Sequence, residues 1–137
     1  MQDPNPRRLD DDIRSFIRRY IANFEELEIL RVLHEARGRF VARDDVADRL
    51  VLRPSDVQEA FRALSKHGFL VLNDERGVAC AAYQVEDPEL DEHVRRALRA
   101  YEDNRLEVIR VMNTIAREHG DSLVLQLFSN AFKMQRK

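Results

Sequence analysis

Residues 40–69 decide the fold of this chain, and they read FVARDDVADRLVLRPSDVQEAFRALSKHGF. Apolar residues recur at helical spacing from 43 to 50 and again from 54 to 67, with a three-residue turn between the two runs. Pro54 suits the first position of a helix, where its missing N–H costs nothing, and Gly68 suits a helix end. The stretch therefore predicts two short helices joined by a tight turn. The residues expected to face the core are Val46, Ala47, Leu50, Leu52, Val57, Ala60, Phe61 and Leu64.

The segments before and after this stretch add helices and a hairpin. Residues 1–8 contain two prolines and are predicted to be a flexible tail, and residues 9–23 form an N-terminal amphipathic helix. Its acidic triplet, residues 10–12, suits the first turn of a helix better than a metal site. Asn23 is a plausible N-cap for a further helix that ends at Gly38, with Glu26 at the capping-box position. A short strand is expected at residues 40–41, and apolar runs at 69–72 and 78–85 predict a β-hairpin around a turn at 73–77.

Residues 87–137 are predicted to form a C-terminal helical dimerisation region. One long helix is expected from Pro88 to Gly120, followed by an amphipathic segment at residues 121–133. Its apolar positions alternate in steps of four and three, with Arg105 in the gap, which is coiled-coil spacing. The sequence therefore predicts a homodimer through Val94, Leu98, Tyr101, Val108, Met112 and Ile115. Packing of the same stripe on the body of its own chain is the alternative.

The composition predicts a protein that binds a partner and does not catalyse a reaction. The chain has 137 residues, enough for one domain, and a formal net charge of −2, so as a whole it does not attract nucleic acid. Without a long apolar run or a secretory signal, it is expected to be cytoplasmic and not in a membrane. Cys80 is the single cysteine and is interpreted as a packing residue, with redox sensing as the alternative. The four histidines show no metal-ligand spacing, so no cofactor, no metal and no enzyme activity are predicted.

The order helix, strand, helix, turn, helix, hairpin over residues 24–86 resembles the winged helix-turn-helix of bacterial transcriptional regulators of the MarR-like and PadR-like sort. The resemblance rests on apolar positions of the two helices and their turn and on the entry to the hairpin. These residues are Val46, Ala47, Leu50, Leu52, Val57, Phe61, Leu64, Gly68, Phe69 and Leu70. The fold class expected from it is mainly α with a small β-hairpin wing (α+β), flanked by N- and C-terminal dimerisation helices. Winged helices also serve as protein-interaction modules.

The resemblance implies a dimeric regulator that reads double-stranded DNA with the second helix of the motif. The residues it assigns to DNA binding are Arg53, Ser55, Gln58, Glu59, Arg62, Lys66 and Arg76. Arg62 and Gln58 suit base edges, Glu59 can accept from a cytosine amino group, and the others suit the DNA backbone. Residues 24–85 nevertheless contain nine Lys and Arg against eleven Asp and Glu, a net charge of −2. The alternative function is therefore a winged-helix protein–protein interaction module without DNA binding, docking for instance a protein of the transcription apparatus.

Overall fold

The structure, a computed structural model of the chain, describes residues 11–75, 77–115 and 117, with the backbone alone at residue 75. These residues form six helices and one three-stranded antiparallel sheet. In chain order the elements are α1 (Asp11–Tyr20), α2 (Phe24–Glu35), β1 (Val41–Ala42), α3 (Arg43–Leu50), α4 (Pro54–Lys66), β2 (Leu70–Glu75), β3 (Val78–Tyr83), α5 (Pro88–Asp103) and α6 (residues 105–115). The expectation of a mainly α fold with a small β wing is confirmed. The expected flexible tail lies outside the described residues.

Local sequence signals set the helix ends. The side chain of Asn23 accepts a hydrogen bond from the Glu26 N–H at 2.9 Å, and Glu26 Oε1 accepts from the Ala22 N–H at 3.1 Å. The Asn23 side chain thereby satisfies an N–H of the first turn of α2, and the Glu26 side chain satisfies the N–H of Ala22, just before the helix. At the far end of α4, Gly68 adopts a φ of 86°. The Phe69 N–H then donates to the Leu64 carbonyl at 3.1 Å, and the chain turns into the sheet.

The turn between α3 and α4 contains a residue in the left-handed backbone conformation, which the sequence does not predict. Val51 has φ 56° and ψ 52°, and its side chain is 89% exposed. A β-branched residue rarely adopts this conformation, because Cβ crowds the following carbonyl. The Leu52 N–H donates to the Ala47 carbonyl at 2.9 Å and closes the end of α3. The turn therefore holds local backbone strain at the centre of the helix pair.

The sheet has the strand order β1-β3-β2, so β3 is central and β2 is an outer strand. The expected turn at residues 73–77 is wrong in its first half, since Asn73 pairs with Cys80 and Asp74 with Ala79. Pairing with β3 holds both residues in the strand, with the backbone groups of Asn73 directed toward β3, and overrides their preference for turns. Gly77, with a φ of 78°, provides the reversal of the chain.

The C-terminal region bends where one continuous helix was expected. Asn104, with φ −148° and ψ 61°, ends α5, and its carbonyl accepts from the Val108 N–H at 3.2 Å to begin α6. An asparagine side chain can compete with the helical backbone hydrogen bonds, which makes it a suitable residue for such a break. The expected single helix from Pro88 to Gly120 is therefore corrected within the described residues.

The bend brings most of the expected dimer stripe into the core of the same chain. Val94, Leu98, Tyr101 and Val108 are buried in the main hydrophobic cluster together with residues of α1, α2 and α4. Ile115 is also buried there and Met112 is partly buried. The interpretation of Val94, Leu98, Tyr101, Val108, Met112 and Ile115 as an intermolecular seam is corrected, because their apolar surface is already used within one copy. Leu106, by contrast, is 79% exposed.

No helix in the described part of the chain is both long and apolar enough to cross a membrane.

Candidate nucleic-acid interface

Helix α4 has one buried face and one exposed face. Its buried residues are Val57, Ala60, Phe61 and Leu64, and the helix packs against both α2 and α3. The opposite face exposes Ser55, Glu59, Arg62 and Lys66, with Arg53 exposed at the N-cap. The amphipathic spacing of the sequence explains this division, since apolar residues three and four apart lie on one side of a helix. The structure thus brings five of the seven candidate residues to one end and one face of α4.

Three cations at the start and on the exposed face of α4 have no partner within the described part of the chain. Among the described residues, Arg53, Arg62 and Lys66 form no hydrogen bond or ion pair, whereas Arg49 on the neighbouring helix binds Glu35 at 3.2 Å. A cation without an intramolecular partner binds an anion without first breaking an ion pair. These three side chains are therefore available to phosphate oxygens or base edges.

Gln58, another candidate, is held by a residue that the sequence reasoning missed. Arg43, at the start of α3, donates from Nη1 to Gln58 Oε1 at 3.1 Å and from Nε to Asp44 at 3.1 Å. Gln58 is half-buried and keeps its amide N–H₂ group as a donor. Arg43 and Gln58 are 15 positions apart, and only the packing of α3 against α4 brings them together.

Glu59 belongs to an acidic groove along one edge of α4. Glu59 and Asp56 line a groove of about 390 Å³ with Glu25 and Glu26 from the start of α2. Burial is the main cause that raises the pKa of Glu26, and the Ala22 hydrogen bond and the charge of His67 partly oppose it. The exposed face of α4 therefore carries Arg62 and Lys66 and is bordered by an acidic groove at Asp56 and Glu59.

The wing is acidic and apolar in its described part. Arg76, the candidate DNA contact at the wing tip, lies outside the described residues. The strands beside it expose Asp74, Val71, Leu72 and Val78. The described strands of the wing therefore present no cation to DNA.

No group of three or more His, Cys, Asp and Glu side chains within residues 11–75 and 77–115 is arranged to hold a metal ion. Cys80 is a free, half-buried thiol on β3 whose Sγ lies 3.6 Å from the Val78 carbonyl oxygen.

Comparison with solved structures identifies the architecture. No protein-family model and no curated protein matches the sequence. The chain is similar to Sco5413, a MarR family transcriptional regulator from Streptomyces coelicolor, at 17% identity and a TM-score of 0.55, over 89% of this chain and 85% of that one. The chain has the winged-helix fold of the MarR-family regulators. It is also similar to the transcriptional regulator Tm0710 from Thermotoga maritima, at 13% identity, 92% and 85% coverage and a TM-score of 0.49. YusO from Bacillus subtilis matches at 14% identity, 93% and 84% coverage and a TM-score of 0.49.

A buried polar joint ties this winged helix to α5. The Tyr101 hydroxyl donates to Glu28 Oε1 at 2.6 Å, and Arg31 holds Glu28 Oε2 at 2.9 Å. Burial alone would raise the pKa of Glu28, but the hydrogen bonds from Tyr101 and Arg31 and the charge of Arg31 outweigh it and lower that pKa. Burial and the Glu28 bond raise the pKa of Tyr101 to about 12. The joint fixes α2, against which α4 packs, relative to the C-terminal helices.

A second joint fixes the wing to the start of α5. The Tyr83 hydroxyl on β3 donates to Asp91 Oδ1 at 2.7 Å, and the His34 ring meets the Tyr83 ring edge-on at 4.9 Å between centroids. Burial, followed by the bond to Asp91, raises the pKa of Tyr83 well above its ordinary value. The wing, α2 and α5 therefore meet at Tyr83, through one ring contact and one hydrogen bond.

Proposed function

We propose that this chain is a DNA-binding transcriptional regulator that places α4 in the major groove of duplex DNA. The observation that carries the proposal is a set of exposed cations, unpaired among the described residues, at the start and on the open side of a helix whose other side is fully buried. A helix fits the major groove, and its exposed residues then reach base edges while flanking cations meet phosphates. The winged-helix fold supports this arrangement.

The roles divide by position along α4. Arg62 lies near the middle of the exposed face and suits two acceptors of a guanine. Arg53 at the N-cap and Lys66 in the last turn suit phosphates on either side of the groove. Ser55 supports the phosphate contact at the N-terminal end, and Gln58 offers its free amide donor to a base. Glu59, beside the acidic groove, opposes phosphate contact and favours a cytosine amino group.

We further propose that the regulator is a homodimer, formed around the C-terminal end of the stripe on α6 and not through Val94, Leu98, Tyr101 and Val108, which are buried within one copy. The ends of α1 and α6 and the start of α2 form an apolar groove of about 370 Å³, lined by residues that include Ile21, Phe24, Met112 and Ile115. Leu106 on α6 is also exposed. Phe24 at the groove and Leu106 on α6 are exposed apolar side chains, which favour association with a second copy. Sedimentation equilibrium tests the proposal: a dimer at micromolar concentration that Leu106→Asp weakens supports it, and a monomeric wild-type chain contradicts it.

A second candidate function is a protein-interaction module, and the acidic groove beside α4 favours it. Four carboxylates around one groove repel phosphates and suit a basic partner protein. The two candidates predict opposite results with nucleic acid, so one experiment separates them.

The experiment is selection of bound sequences from a random duplex pool, with wild-type protein and three single variants. Arg62→Ala should flatten the base preference at one position, at a cost of about 1–3 kcal/mol for the favoured base. Lys66→Ala should weaken binding equally for all sequences. Arg99→Ala is the matched control, since Arg99 is an exposed arginine on α5. Failure of the wild-type protein to enrich any duplex contradicts the proposal and favours the protein-interaction module.

A further inference from the structure

Strand β2 is an outer strand with open backbone groups. The Gln84 N–H donates to the Phe69 carbonyl at 2.9 Å, which makes 69 and 84 a hydrogen-bonded pair at the start of the hairpin. Hydrogen-bonded and non-hydrogen-bonded pairs alternate in an antiparallel ladder, so Leu70, Leu72 and Asp74 direct their N–H and C=O groups away from β3. Within the described part of the chain, no backbone hydrogen bond reaches these three residues from the outer side.

The first half of this edge, residues 70–73, has no protecting side chain. Proteins usually shield an outer strand with charged side chains, proline, a bulge or a very short length, and the charges of β2 lie only at its far end. Strand β2 has six residues, LVLNDE, without lysine or proline. Its Val71 is 38% exposed and its Leu72 is 41% exposed. An exposed apolar strand edge of this kind is a template for another extended chain.

A cleft lies where this strand begins. It has a volume of about 350 Å³, and Leu70, Val71, Val85 and Leu90 give it apolar walls. Glu86 and Asp87 form its rim, and both are exposed. The cleft is large enough for one aliphatic side chain of a bound peptide, with carboxylates at its mouth.

The negative charge of residues 70–87 indicates which kind of chain binds at the edge of β2 and in the cleft. Residues 70–87 contain four acidic side chains (74, 75, 86 and 87) and one basic side chain (76), a formal net charge of −3. A second copy of this chain would bring the same negative charge against itself, and DNA would bring phosphates. A basic segment is attracted instead.

We propose that the outer edge of β2 binds an extended, basic peptide segment of a partner protein, which adds a fourth strand to the sheet. The backbone of the segment pairs with Leu70, Leu72 and Asp74, one aliphatic side chain enters the cleft, and lysine or arginine side chains approach Glu86 and Asp87. The hydrogen bonds supply affinity and the alternate side chains supply specificity. This inference is independent of DNA binding by α4 and goes beyond it.

The test uses the full-length protein and two synthetic heptapeptides, acetyl-KVKVRVK-amide and acetyl-EVEVEVE-amide. Isothermal titration calorimetry should detect the basic peptide and show at least tenfold weaker binding of the acidic one. Amide hydrogen exchange with the basic peptide should gain protection at Leu70, Leu72 and Asp74. The Val71 and Asn73 amides already pair with β3 and should change little. Protection of alternate residues is a signature of strand addition that simple charge attraction does not produce.

Two variants at one position separate strand pairing from side-chain contact. Leu72→Pro removes an outward N–H and spares the ladder with β3, as proline does on sheet edges. Leu72→Thr changes the side chain and keeps the N–H. We expect at least tenfold weaker peptide binding for Leu72→Pro and less than threefold for Leu72→Thr, with folding of both checked by circular dichroism.

Four results would overturn the proposal: equal binding of the two peptides, exchange protection without the alternation, equal effects of the two variants, or self-association through β2. Protection of the same amides by duplex DNA would assign the edge to nucleic acid and also reject the peptide. If Leu72→Pro does not fold, the exchange pattern of the wild-type protein decides alone.

Discussion

Replacing Tyr101 with phenylalanine removes the hydroxyl that donates to Glu28 and leaves the buried ring in place. The bond is short, 2.6 Å, and its acceptor is a carboxylate. A hydrogen bond to a charged group contributes about 1.5–3 kcal/mol, and Arg31 still holds the other Glu28 oxygen after the change. We therefore expect Tyr101→Phe to lower the free energy of unfolding by about 2 kcal/mol.

The pH dependence of this loss follows from the two pKa shifts. Folding lowers the pKa of Glu28, so its contribution to stability is present above the ordinary glutamate pKa and is lost as pH falls through the folded value. Folding raises the pKa of Tyr101 from 10.0 to about 12, so its contribution is complete below pH 10 and is lost as pH rises through 12. The difference between wild type and Tyr101→Phe should therefore be constant between about pH 5 and 9 and shrink on both sides.

Urea unfolding followed by circular dichroism measures the difference, and Tyr20→Phe is its control. The Tyr20 ring packs against Phe16 and Phe69, but its hydroxyl forms no hydrogen bond with any described residue. That variant should change the free energy of unfolding by less than about 0.5 kcal/mol. Equal effects of the two substitutions, or a Tyr101→Phe loss that is as large at about pH 12 as at neutral pH, would refute the account of the joint.

Three further predictions concern the helix pair and its flank. Glu59→Gln should strengthen duplex binding about threefold or more, because it removes a negative charge beside the phosphates. Glu25→Gln, across the groove, should change the affinity less, and filter binding at fixed salt measures both. Weaker binding by Glu59→Gln would contradict the placement of α4. Val51→Asn should raise the free energy of unfolding by about 0.5–1 kcal/mol, because asparagine tolerates the left-handed conformation, and destabilisation in urea would argue against that φ. Asn23→Ala should cost about 1 kcal/mol through loss of the N-cap, with Asn23→Ser close to neutral; equal losses in thermal unfolding would reject the cap.

Local chemistry explains what the sequence could predict. The apolar stripe with Val57, Phe61 and Leu64 follows from helical spacing alone, and the Asn23 cap with Glu26 from a four-residue pattern. Each signal lies within a few residues, so no tertiary contact is needed to interpret it. Helical spacing alone also predicts which face of α4 is exposed, whatever elements lie beside the helix.

The features that the sequence did not predict depend on contacts between residues that are far apart in the chain. Tyr101 and Glu28 are 73 positions apart, and no local pattern marks them as partners. The sequence also does not predict the bend at Asn104. Apolar steps of four and three are equally suited to a straight helix in a dimer contact and to a helix that packs on its own chain. The acidic groove arises only when the start of α2 approaches Glu59. Tertiary packing thus determines both the burial of the expected dimer residues within one copy and the charge around α4.

The central claim, that the free cations of α4 bind duplex DNA, is tested most directly by the salt dependence of wild-type binding. Arg53 and Lys66 supply two phosphate contacts per copy. The logarithm of the affinity should then fall against the logarithm of salt concentration with a slope of about −1.8 for one copy and about −3.6 for a dimer. Fluorescence anisotropy with labelled genomic duplexes between 25 and about 200 mM salt measures it. A slope near zero, or no binding at the lowest salt, would contradict the claim.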